Sequence, residues 1–492
     1  MPDAIRFGTD GWRGIIAEDF TFANVRQVSQ ALADYLVGYD LARHGLVVGY
    51  DQRFASEDFA QAVAETMAGN RISAFLCQQA CPSPTVAYAI LPREAAGAVV
   101  ITASHNPPRY SGVKVKTQYA ASAPPEMIAE IETLLGRSQV RSKPFEQARQ
   151  EGLITLFDPF PAYQQQLASL VNLDRIRQAG LTIIADPMYG AGIGYLSTLL
   201  GGGATRVIEI HGERNPMFPG MKNPEPLAHN LTKLCTVVPD SGSDVGLALD
   251  GDADRVGLVD EKGNFVDPLR VFALLTLYLL EVRNWRGPIV KSISTTSMVQ
   301  KLAARYKVPV FETPVGFKYI GQKMVQEDAI IGGEESAGFG FRNHIPERDG
   351  VLSSLFLLDM MVRMERTPSE LVAHLFELVG EHHYARLDVP CVGVCAEDVM
   401  AHLSRNVPSS LFNQPVKASL DERGYKYVLA DGSWLLFRSS GTEPLVRLYA
   451  EAGSPERVQE LLQAGKEMAG LSGTPTPSLP SSADASQEKR HG

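Results

Sequence analysis

The sequence predicts an α/β protein of several domains that ends in a smaller α+β domain. Over the first three-quarters of the chain, apolar runs bounded by turn residues alternate with amphipathic stretches, which is typical of helices that cover sheets. From Tyr384 onwards the pattern changes to strand-like segments joined by tight turns. The chain has 492 residues, and a typical domain has roughly 150. We therefore expect several packed domains.

The first domain is predicted to span residues 1–150. Buried strands are expected at 45–51 and 97–102, because both segments are apolar runs bounded by turn residues. Helices are expected at 54–69 and 124–136, and the second of these begins with prolines and carries its apolar residues on one face. The loop after the second strand is of interest, because loops at strand ends commonly form the sites of α/β proteins.

The second and third domains are predicted at 151–266 and 267–382, with the same alternation of strands and helices. The helix expected from Thr367 opens with a capping box and a proline at its first position. The second domain should contain a helix at 159–170, a strand at 181–186, a helix at 195–200, and strands near Val207 and Val245. The third should contain a helix from Pro268, strands at 288–293 and 308–312, and helices near Lys301, at 352–361 and from Thr367.

The fourth domain is predicted at 383–470. Two or three strands are expected there, with a tight turn at residues 431–432, followed by a helix at 455–468. The remaining residues, 471–492, are rich in Pro, Ser and Thr and lack periodicity, so we expect a disordered tail.

Composition argues against several classes of protein. The formal net charge is -10 and no long basic run occurs, which disfavours nucleic-acid binding. The start of the chain does not resemble a signal peptide, and the longest apolar run, 271–280, is half the ~20 residues of a membrane helix. The 5 cysteines form no Cys-x-x-Cys pair, so neither disulfides nor zinc are suggested. We expect a cytoplasmic protein without a membrane or nucleic-acid partner.

The segment 102–107 (TASHNP) is the first candidate for chemistry. Ser104 follows a predicted buried strand and could act as a nucleophile or phosphate carrier. His105 and Lys114 are near enough in sequence to supply protons or positive charge. The alternative is an ordinary turn, because Ser, Asn and Pro are frequent turn residues.

Three aspartates at alternate positions, Asp250, Asp252 and Asp254, follow the apolar run 245–249. Alternate residues at a strand end point the same way, so the three carboxylates can converge on a hard divalent cation. The alternatives are a solvated acidic turn and a calcium loop of the EF-hand type. Arg255 occupies the position where an EF-hand needs glycine, and strand-like residues follow it, which disfavours the calcium loop.

The segment 332–338 (GGEESAG) offers carboxylates and a hydroxyl after an apolar pair. Sugar hydroxyls both donate and accept hydrogen bonds, so Glu334 and Ser336 could bind them. A solvated turn explains this segment equally well.

The segment 438–444 (RSSGTEP) leaves a predicted strand of the last domain. Its small residues can present N–H groups and hydroxyls to a phosphate, while the fork of Arg438 can bind two phosphate oxygens. An ordinary hairpin loop is the alternative.

Together and in this order, these four motifs and the segment 7–14 (FGTDGWRG) resemble the α-D-phosphohexomutase superfamily. The resemblance implies four domains around a central cleft, three of them related α/β units and the last an α+β domain. Two further segments are similar to family elements: 313–318 (TPVGFK), which carries Lys318, and 348–350 (RDG), which carries Arg348.

The resemblance also implies a role for each site residue. Ser104 would carry the phosphoryl group and contribute to a Mg2+ site with Asp250, Asp252 and Asp254, and Arg255 would contact the phosphoryl group. Substrate would be bound by Arg13, Lys318, Glu334, Ser336 and Arg348, and its second phosphate by Arg438, Ser439, Ser440, Gly441 and Thr442. Many bacterial members of the superfamily have Gly-His after the serine of the segment that corresponds to 332–338, where this chain has Ala337-Gly338-Phe339. Lys114 and His105 are therefore the candidates for proton transfer.

The implied activity is the interconversion of hexose 1-phosphate and hexose 6-phosphate through a hexose 1,6-bisphosphate, which also serves as activator. Glucose is favoured over mannose as the hexose, and the partners are sugar phosphates. A glucose-1,6-bisphosphate synthase, a metal-dependent sugar phosphatase and a noncatalytic sugar-phosphate binding protein are the alternatives. The oligomeric state is left open between monomer and dimer.

Overall fold

The computed structural model describes residues 5–8, 10–391, 395–421, 424–439 and 445–471. The chain forms two compact units, one up to Val379 and one from Gly380. The first unit contains three sheets flanked by helices, and the second contains one. The predicted fold class is confirmed. Apart from Leu471, the predicted tail lies outside the described residues.

The first sheet has six strands in the order β1-β5-β4-β2-β3-β6, parallel at its centre and antiparallel at β5 and β1. The strand β6 lies beyond residue 150, so this sheet draws on both sides of the predicted domain boundary, and the division into domains stays a prediction. The strands are β1 Trp12–Ile15, β2 Leu46–Tyr50, β3 Ala74–Cys77, β4 Gly97–Ile101, β5 Tyr110–Thr117 and β6 Ile154–Phe157. The helices are α1 Phe22–Gly38, α2 Ser56–Gly69, α3 Ser83–Tyr88, α4 Pro125–Leu134 and α5 Phe145–Gln150, with 3-10 turns at Ala42–His44 and Leu91–Arg93.

The second sheet has five strands in the order β11-β10-β9-β7-β8. Its β9 and β10 form an antiparallel hairpin, whose loop holds the three aspartates. The strands are β7 Thr182–Asp186, β8 Arg206–Glu209, β9 Val245–Leu249, β10 Val256–Val259 and β11 Phe265–Val266. The helices are α6 Phe160–Leu170, α7 Leu173–Gln178, α8 Tyr195–Leu200 and α9 Thr232–Asp240, with a 3-10 turn at Ala228–Asn230.

The third sheet has four strands in the order β13-β12-β14-β15. The strands are β12 Ile289–Ser292, β13 Val310–Thr313, β14 Ile331–Gly333 and β15 Phe339–Phe341. The helices are α10 Pro268–Leu277, which continues into a π-helical turn at Tyr278–Val282, α11 Met298–Tyr306, α12 Phe317–Glu327, α13 Gly350–Met364 and α14 Pro368–Val379. The strands and helices predicted in the three α/β regions are confirmed to within a few residues at their ends.

The helix α13 is buried on all sides over its first twelve residues. Most of these residues are apolar, and the polar ones, Ser353, Ser354 and Asp359, make hydrogen bonds in the interior. Its N-terminus is capped by Asp349, whose Oδ1 accepts a hydrogen bond of 2.8 Å from the N–H of Leu352. No helix in the described part of the chain is long and apolar enough to cross a membrane.

The second unit is an antiparallel sheet of six strands in the order β16-β21-β20-β19-β18-β17. The expectation of two or three strands was wrong, because several of these strands mix polar and apolar residues and lack a clear apolar run. The strands are β16 His383–Pro390, β17 Ser410–Leu411, β18 Gln414–Asp421, β19 Gly424–Leu429, β20 Trp434–Ser439 and β21 Leu445–Ala452, and the helices are α15 Ala396–Arg405 and α16 Pro455–Met468.

Truncation of Leu355, which is fully buried in α13, should destabilise the first unit. We expect Leu355→Ala to lower the free energy of unfolding by about 3 kcal/mol, because the truncation leaves a cavity in a closely packed interior. Urea unfolding followed by tryptophan fluorescence measures this. Val325→Ala is the control, since Val325 is 68% exposed on α12 and its truncation should change stability by less than ~0.5 kcal/mol. Equal effects of the two substitutions would contradict the interior position of α13.

Candidate active site

Three loops of the first unit carry the predicted chemistry, and each begins at the carboxyl end of a strand. The serine loop, residues 102–109, contains Ser104 and follows β4. The aspartate loop, residues 250–255, follows β9, and the sugar loop, residues 334–338, follows β14. Sites in α/β proteins gather at this end of the strands. A hydrogen bond joins Ser104 to Asp250, and Arg348 joins Asp254 to Glu334, so all three loops are connected.

Ser104 is fully buried at the start of its loop, with a backbone φ of 49°. A positive φ is uncommon for a residue other than glycine, and the surrounding contacts must hold the residue in it. The N–H of Ser104 donates to Thr102 Oγ1 at 2.8 Å, and its Oγ donates to Asp250 Oδ2 at 2.8 Å. His105 Nδ1 lies 3.3 Å from the same Oγ. The hydroxyl thus lies between a carboxylate and an imidazole.

The aspartate loop is shaped by Asp250. Its Oδ1 accepts hydrogen bonds from the N–H groups of Asp254 at 2.9 Å and Arg255 at 3.1 Å. Residues 256–259 form β10, which pairs with β9. The alternative of an EF-hand calcium loop is therefore excluded, because residues that would belong to that loop form a strand.

The three aspartates form a group that can hold a cation. One carboxylate oxygen from each of Asp250, Asp252 and Asp254 lies within 4.8 Å of the others, and all three residues are buried. Among the described residues, Asp252 Oδ1 and Asp254 Oδ1 have no hydrogen-bond partner. Buried carboxylate oxygens without a donor are costly, and oxygen ligands of this kind suit Mg2+. The residues therefore fit a magnesium ion.

Gly251 lets the aspartate loop approach the serine loop. A Cβ atom at this position would lie 2.4 Å from the carbonyl oxygen of Ser104. Because only glycine fits such a close backbone approach, Gly251 sets the spacing between the two loops.

Lys114, on β5, neutralises part of the acidic cluster. Its Nζ lies 2.9 Å from Asp10 Oδ2, 2.8 Å from Asp252 Oδ2 and 3.1 Å from Asp254 Oδ2. Burial alone would lower the pKa of Lys114, but the three carboxylates raise it above its usual value. Burial likewise opposes ionisation of Asp252, yet Lys114 holds the pKa of Asp252 below its usual value. Lys114 is thus a fixed positive charge beside the aspartates.

Asp250 differs from Asp252. Burial, followed by the charges of Asp254 and Asp252, raises the pKa of Asp250 well above its usual value. A divalent cation would relieve this repulsion among the carboxylates.

Arg348 joins the sugar-loop candidates to the aspartates. Its guanidinium donates to Asp254 Oδ2 at 2.7 Å, to Asp10 Oδ2 at 2.8 Å and to Glu334 Oε1 at 2.8 Å. Ser336 Oγ donates to the same Glu334 oxygen at 2.7 Å. Burial opposes the charge of Arg348, but Asp254 and Asp10 raise its pKa well above the usual value.

Two further arginines stand beside the serine loop. Arg255 Nη1 donates to Glu225 Oε1 at 2.9 Å, and Arg13 donates to Asn106 Oδ1. Burial, followed by the positive charges of Arg255 and Arg13, lowers the pKa of His105 well below its usual value.

The remaining predicted ligands are Lys318, on α12, and the segment 438–442 of the second unit. Lys318 lines a cavity of about 210 Å³ together with Asp10 and Lys114. Arg438 and Ser439 end β20 in the second unit, where Arg438 Nη1 is 3.5 Å from Tyr449 Oη. The other predicted phosphate ligands, Ser440, Gly441 and Thr442, lie outside the described residues.

Arg53 was not predicted from the sequence, yet it holds the serine loop in place. It is 1% exposed. Its Nη2 donates to the carbonyl oxygens of Ser104 at 2.6 Å and Asn106 at 2.5 Å, and its Nη1 to those of Pro107 and Tyr110 at 3.0 Å each. Arg53 follows the carboxyl end of β2, so the rule that singled out Ser104 could have found it.

Three more site residues, Asp10, Ser83 and Glu225, were not selected from the sequence either. Ser83 Oγ donates to Asp252 Oδ2 at 2.5 Å, and its N–H donates to the carbonyl oxygen of Asp252 at 2.9 Å. Asp10 stands within the segment 7–14, which was recognised only as a whole. The partners of these residues are far away in sequence, and no local pattern marks them.

Four family models match the chain in order. They are those of phosphoglucomutase/phosphomannomutase α/β/α domain I at residues 4–141, domain II at 161–263, domain III at 267–379 and the C-terminal domain at 401–467. The chain belongs to the phosphoglucomutase/phosphomannomutase family. It is a phosphomutase, an isomerase that transfers phosphate within a sugar.

Relatives of this phosphomutase cover nearly its whole length. A phosphoglucomutase/phosphomannomutase of Thermococcus kodakarensis is 28% identical over 93% of this chain and 97% of its own. A phosphoglucosamine/phosphogalactosamine mutase of Sulfurisphaera tokodaii is 29% identical over 94% of this chain and 98% of its own. The crystal structure described as that of a phosphomannomutase from Thermus thermophilus is 34% identical, with a TM-score of 0.82 over 96% of this chain and 100% of that one.

A side chain at position 251 should inactivate the phosphomutase. We expect Gly251→Ala to lower kcat about 100-fold, because the added methyl group displaces the carbonyl of Ser104 and misaligns the loop. A coupled mutase assay measures this, with circular dichroism to check the fold. Gly38→Ala is the control, since nothing lies within 4 Å of a Cβ at that position. Full activity of Gly251→Ala would show that the two loops do not need this spacing.

The planar guanidinium group of Arg53, and not only its positive charge, should be needed for activity. We expect Arg53→Lys to lower kcat at least ~10-fold with KM changed less, because an ammonium group cannot bridge four carbonyl oxygens. Steady-state kinetics with a sugar 1-phosphate measures both constants. Arg43→Lys, at an exposed position, is the control and should behave like the unmodified protein. A change confined to KM would contradict a positioning role for Arg53.

Proposed function

We propose that this phosphomutase interconverts hexose 1-phosphate and hexose 6-phosphate through a phosphoserine at Ser104, with glucose as the favoured hexose. The observation that carries the proposal is the position of Ser104 Oγ, 2.8 Å from Asp250 Oδ2, beside two buried carboxylate oxygens that no donor of the described residues reaches. A nucleophile next to an acidic cluster that accepts a cation suits phosphoryl transfer, in which positioning and electrostatics do most of the work.

Asp250, Asp252 and Asp254 would hold Mg2+ together with Ser104. When bound, the ion neutralises negative charge on the transferring phosphoryl group. Lys114 already offsets part of the aspartate charge, so the carboxylates can lie close together without the ion.

The phosphoryl group would move between Ser104 and either end of the sugar. Phosphoserine gives the group to the free hydroxyl of the substrate, which forms a hexose 1,6-bisphosphate. The bisphosphate then reverses its orientation, and its other phosphate returns to Ser104. His105, with Nδ1 3.3 Å from Ser104 Oγ, is the group of this chain placed to accept or return a proton. Lys114 was the other candidate for proton transfer, but three carboxylates raise its pKa, so it would keep its proton and supply positive charge. Arg255 would contact the phosphoryl group.

The sugar and its second phosphate need ligands beyond the serine loop. Glu334 and Ser336 offer a carboxylate and a hydroxyl to sugar hydroxyls, a role that suits groups which both donate and accept. Substrate contacts are also proposed for Arg13, Lys318 and Arg348. The phosphate that is not transferred would be bound by Arg438, Ser439, Ser440, Gly441 and Thr442.

The identity of the preferred hexose needs its own test. Among relatives 28% to 29% identical, some are named for glucose or mannose and others for glucosamine or galactosamine. Comparison of kcat/KM for glucose 1-phosphate, mannose 1-phosphate and glucosamine 1-phosphate would rank these substrates.

The central test is a coupled assay of glucose 6-phosphate formation from glucose 1-phosphate, with Mg2+ and catalytic glucose 1,6-bisphosphate. We expect Ser104→Ala to lower kcat at least ~10³-fold, because the phosphate carrier is lost. Removal of divalent cations with EDTA should abolish turnover, and Mg2+ should restore it. Ser142→Ala is the matched control, since Ser142 is exposed and distant in sequence from the site.

Two outcomes would replace this proposal with another. Accumulation of glucose 1,6-bisphosphate from a different phosphoryl donor, without turnover of glucose 1-phosphate, would identify a bisphosphate synthase. Net release of inorganic phosphate that depends on Ser104 would identify a phosphatase. Full activity of Ser104→Ala would exclude the phosphoserine.

A further inference from the structure

A second cleft of the first unit has no part in the proposed reaction. It has a volume of about 680 Å³ and is lined by α6, α7 and the C-terminal half of α13. Clefts of ~300–1,000 Å³ are the size that binds small molecules. Its charged lining residues are Asp174, Arg175, Arg177, Arg283, Asp359 and Arg363.

Asp359 is the centre of this lining. The side chain is 2% exposed, and its Oδ1 accepts a hydrogen bond of 3.1 Å from Arg175 Nη1. Its Oδ2 accepts from Tyr278 Oη at 2.6 Å and lies 3.9 Å from Arg363 Nη1. Arg283 Nη1 donates to the same Tyr278 oxygen at 3.1 Å. Two guanidinium groups thus lie beside one buried carboxylate, and a third is connected to it through the hydroxyl of Tyr278.

The charges in this cluster do not balance. Asp359 neutralises one of the three arginines, and the fourth arginine of the cleft, Arg177, pairs with Asp174 at 2.7 Å. Two positive charges remain in a chain whose formal net charge is -10. Arg363 and Arg175 keep 34% and 40% of their side chains exposed, so the guanidinium groups are accessible from the cleft. An anion with two negative charges would complete the balance.

We propose that this cleft binds a compact dianion of the phosphate monoester type. Guanidinium groups match the geometry of phosphate oxygens through paired N–H donors, and they bind phosphate more strongly when they are partly desolvated. The cleft is also lined by polar side chains that can bind the hydroxyls of an organic phosphate: Gln164, Gln165, Ser169 and Asn172.

This cleft is separate from the candidate active site. The N–H of Gly350, at the start of α13, donates to the carbonyl oxygen of Ala253 in the aspartate loop at 3.1 Å. Asp359 lies nine residues further along the same helix, which corresponds to roughly 14 Å. One helix thus contacts the aspartate loop at its first turn and lines the cleft near its other end.

Trp285 provides a probe for the test, because the guanidinium of Arg283 lies 5.2 Å from its ring. The full chain would be titrated with inorganic phosphate and with glycerol 3-phosphate at constant ionic strength, while tryptophan fluorescence is followed. Trp285→Phe identifies the part of the signal that comes from the cleft. We expect a saturable change of the Trp285 signal with at least one probe.

Two variants change the charge of the cleft by different means. Arg363→Gln should weaken binding about 10-fold, because a charged hydrogen-bond donor is lost. Gln165→Glu, at an exposed position on α6, should weaken it about 3-fold through repulsion. Gln150→Glu, at an exposed position on α5, adds the same charge elsewhere and should bind like the unmodified protein.

The relative affinities of the two probes also distinguish an organic phosphate from free phosphate as the ligand. Tighter binding of glycerol 3-phosphate would identify an organic phosphate, and equal binding of both probes would identify free phosphate; either supports the proposal. The proposal would be overturned if the Trp285 signal did not respond, or if both Arg363→Gln and Gln165→Glu bound the probes with unchanged affinity. Mutase activity of each variant serves as the check on folding.

Discussion

The structure of the site depends on how negative charge is accommodated in the interior of the first unit. Three buried aspartates in one loop repel each other strongly at low local dielectric, and the arrangement persists only if cations lie beside them. Lys114 from β5 and Arg348 from the segment before α13 supply this charge, and Asp10 binds both. The need to neutralise one loop therefore brings three distant parts of the chain together, and the sugar-loop residue Glu334 is joined to them through Arg348.

The shape of the serine loop depends on contacts with its backbone. The serine loop is held from one side by the four carbonyl contacts of Arg53 and meets Gly251 on the other. Between them, Ser104 adopts a φ of 49°, a conformation that costs energy for a residue with a side chain. Such a conformation persists when its surroundings leave no alternative, and the contacts of Arg53 and Gly251 provide those surroundings. The serine is thus presented by a loop whose shape is determined before any substrate binds.

Local sequence patterns were sufficient to predict most of the α/β secondary structure and the central site residues. The strands and helices of the α/β regions follow from apolar periodicity, and Ser104 and the three aspartates were found because each follows an apolar strand. The second unit was underestimated, since polar residues within β18 and β19 conceal the strands. Ser83 and Glu225 could not be predicted as site residues, because their contacts join residues that are 169 and 30 positions apart. Arg53 could have been noticed from its position after β2, but its four contacts with the serine loop could not. The sequence also could not distinguish the two neighbouring glutamates. Glu334 pairs with Arg348 at the site, whereas Glu335 accepts hydrogen bonds from Ser292 and Ser294.

If Ser104 carries the phosphoryl group, as proposed above, its complete burial has a consequence for how the first phosphate is acquired. A protein kinase binds an extended peptide segment and needs the hydroxyl to stand clear of the surface. Ser104 lies below the surface, and its loop is tied to the interior at several carbonyls. A phosphoryl donor must therefore be small enough to enter the site, and a sugar bisphosphate meets that condition. Under the proposed mechanism, newly made chains would be inactive until a small metabolite, and not a signalling enzyme, supplied the first phosphate.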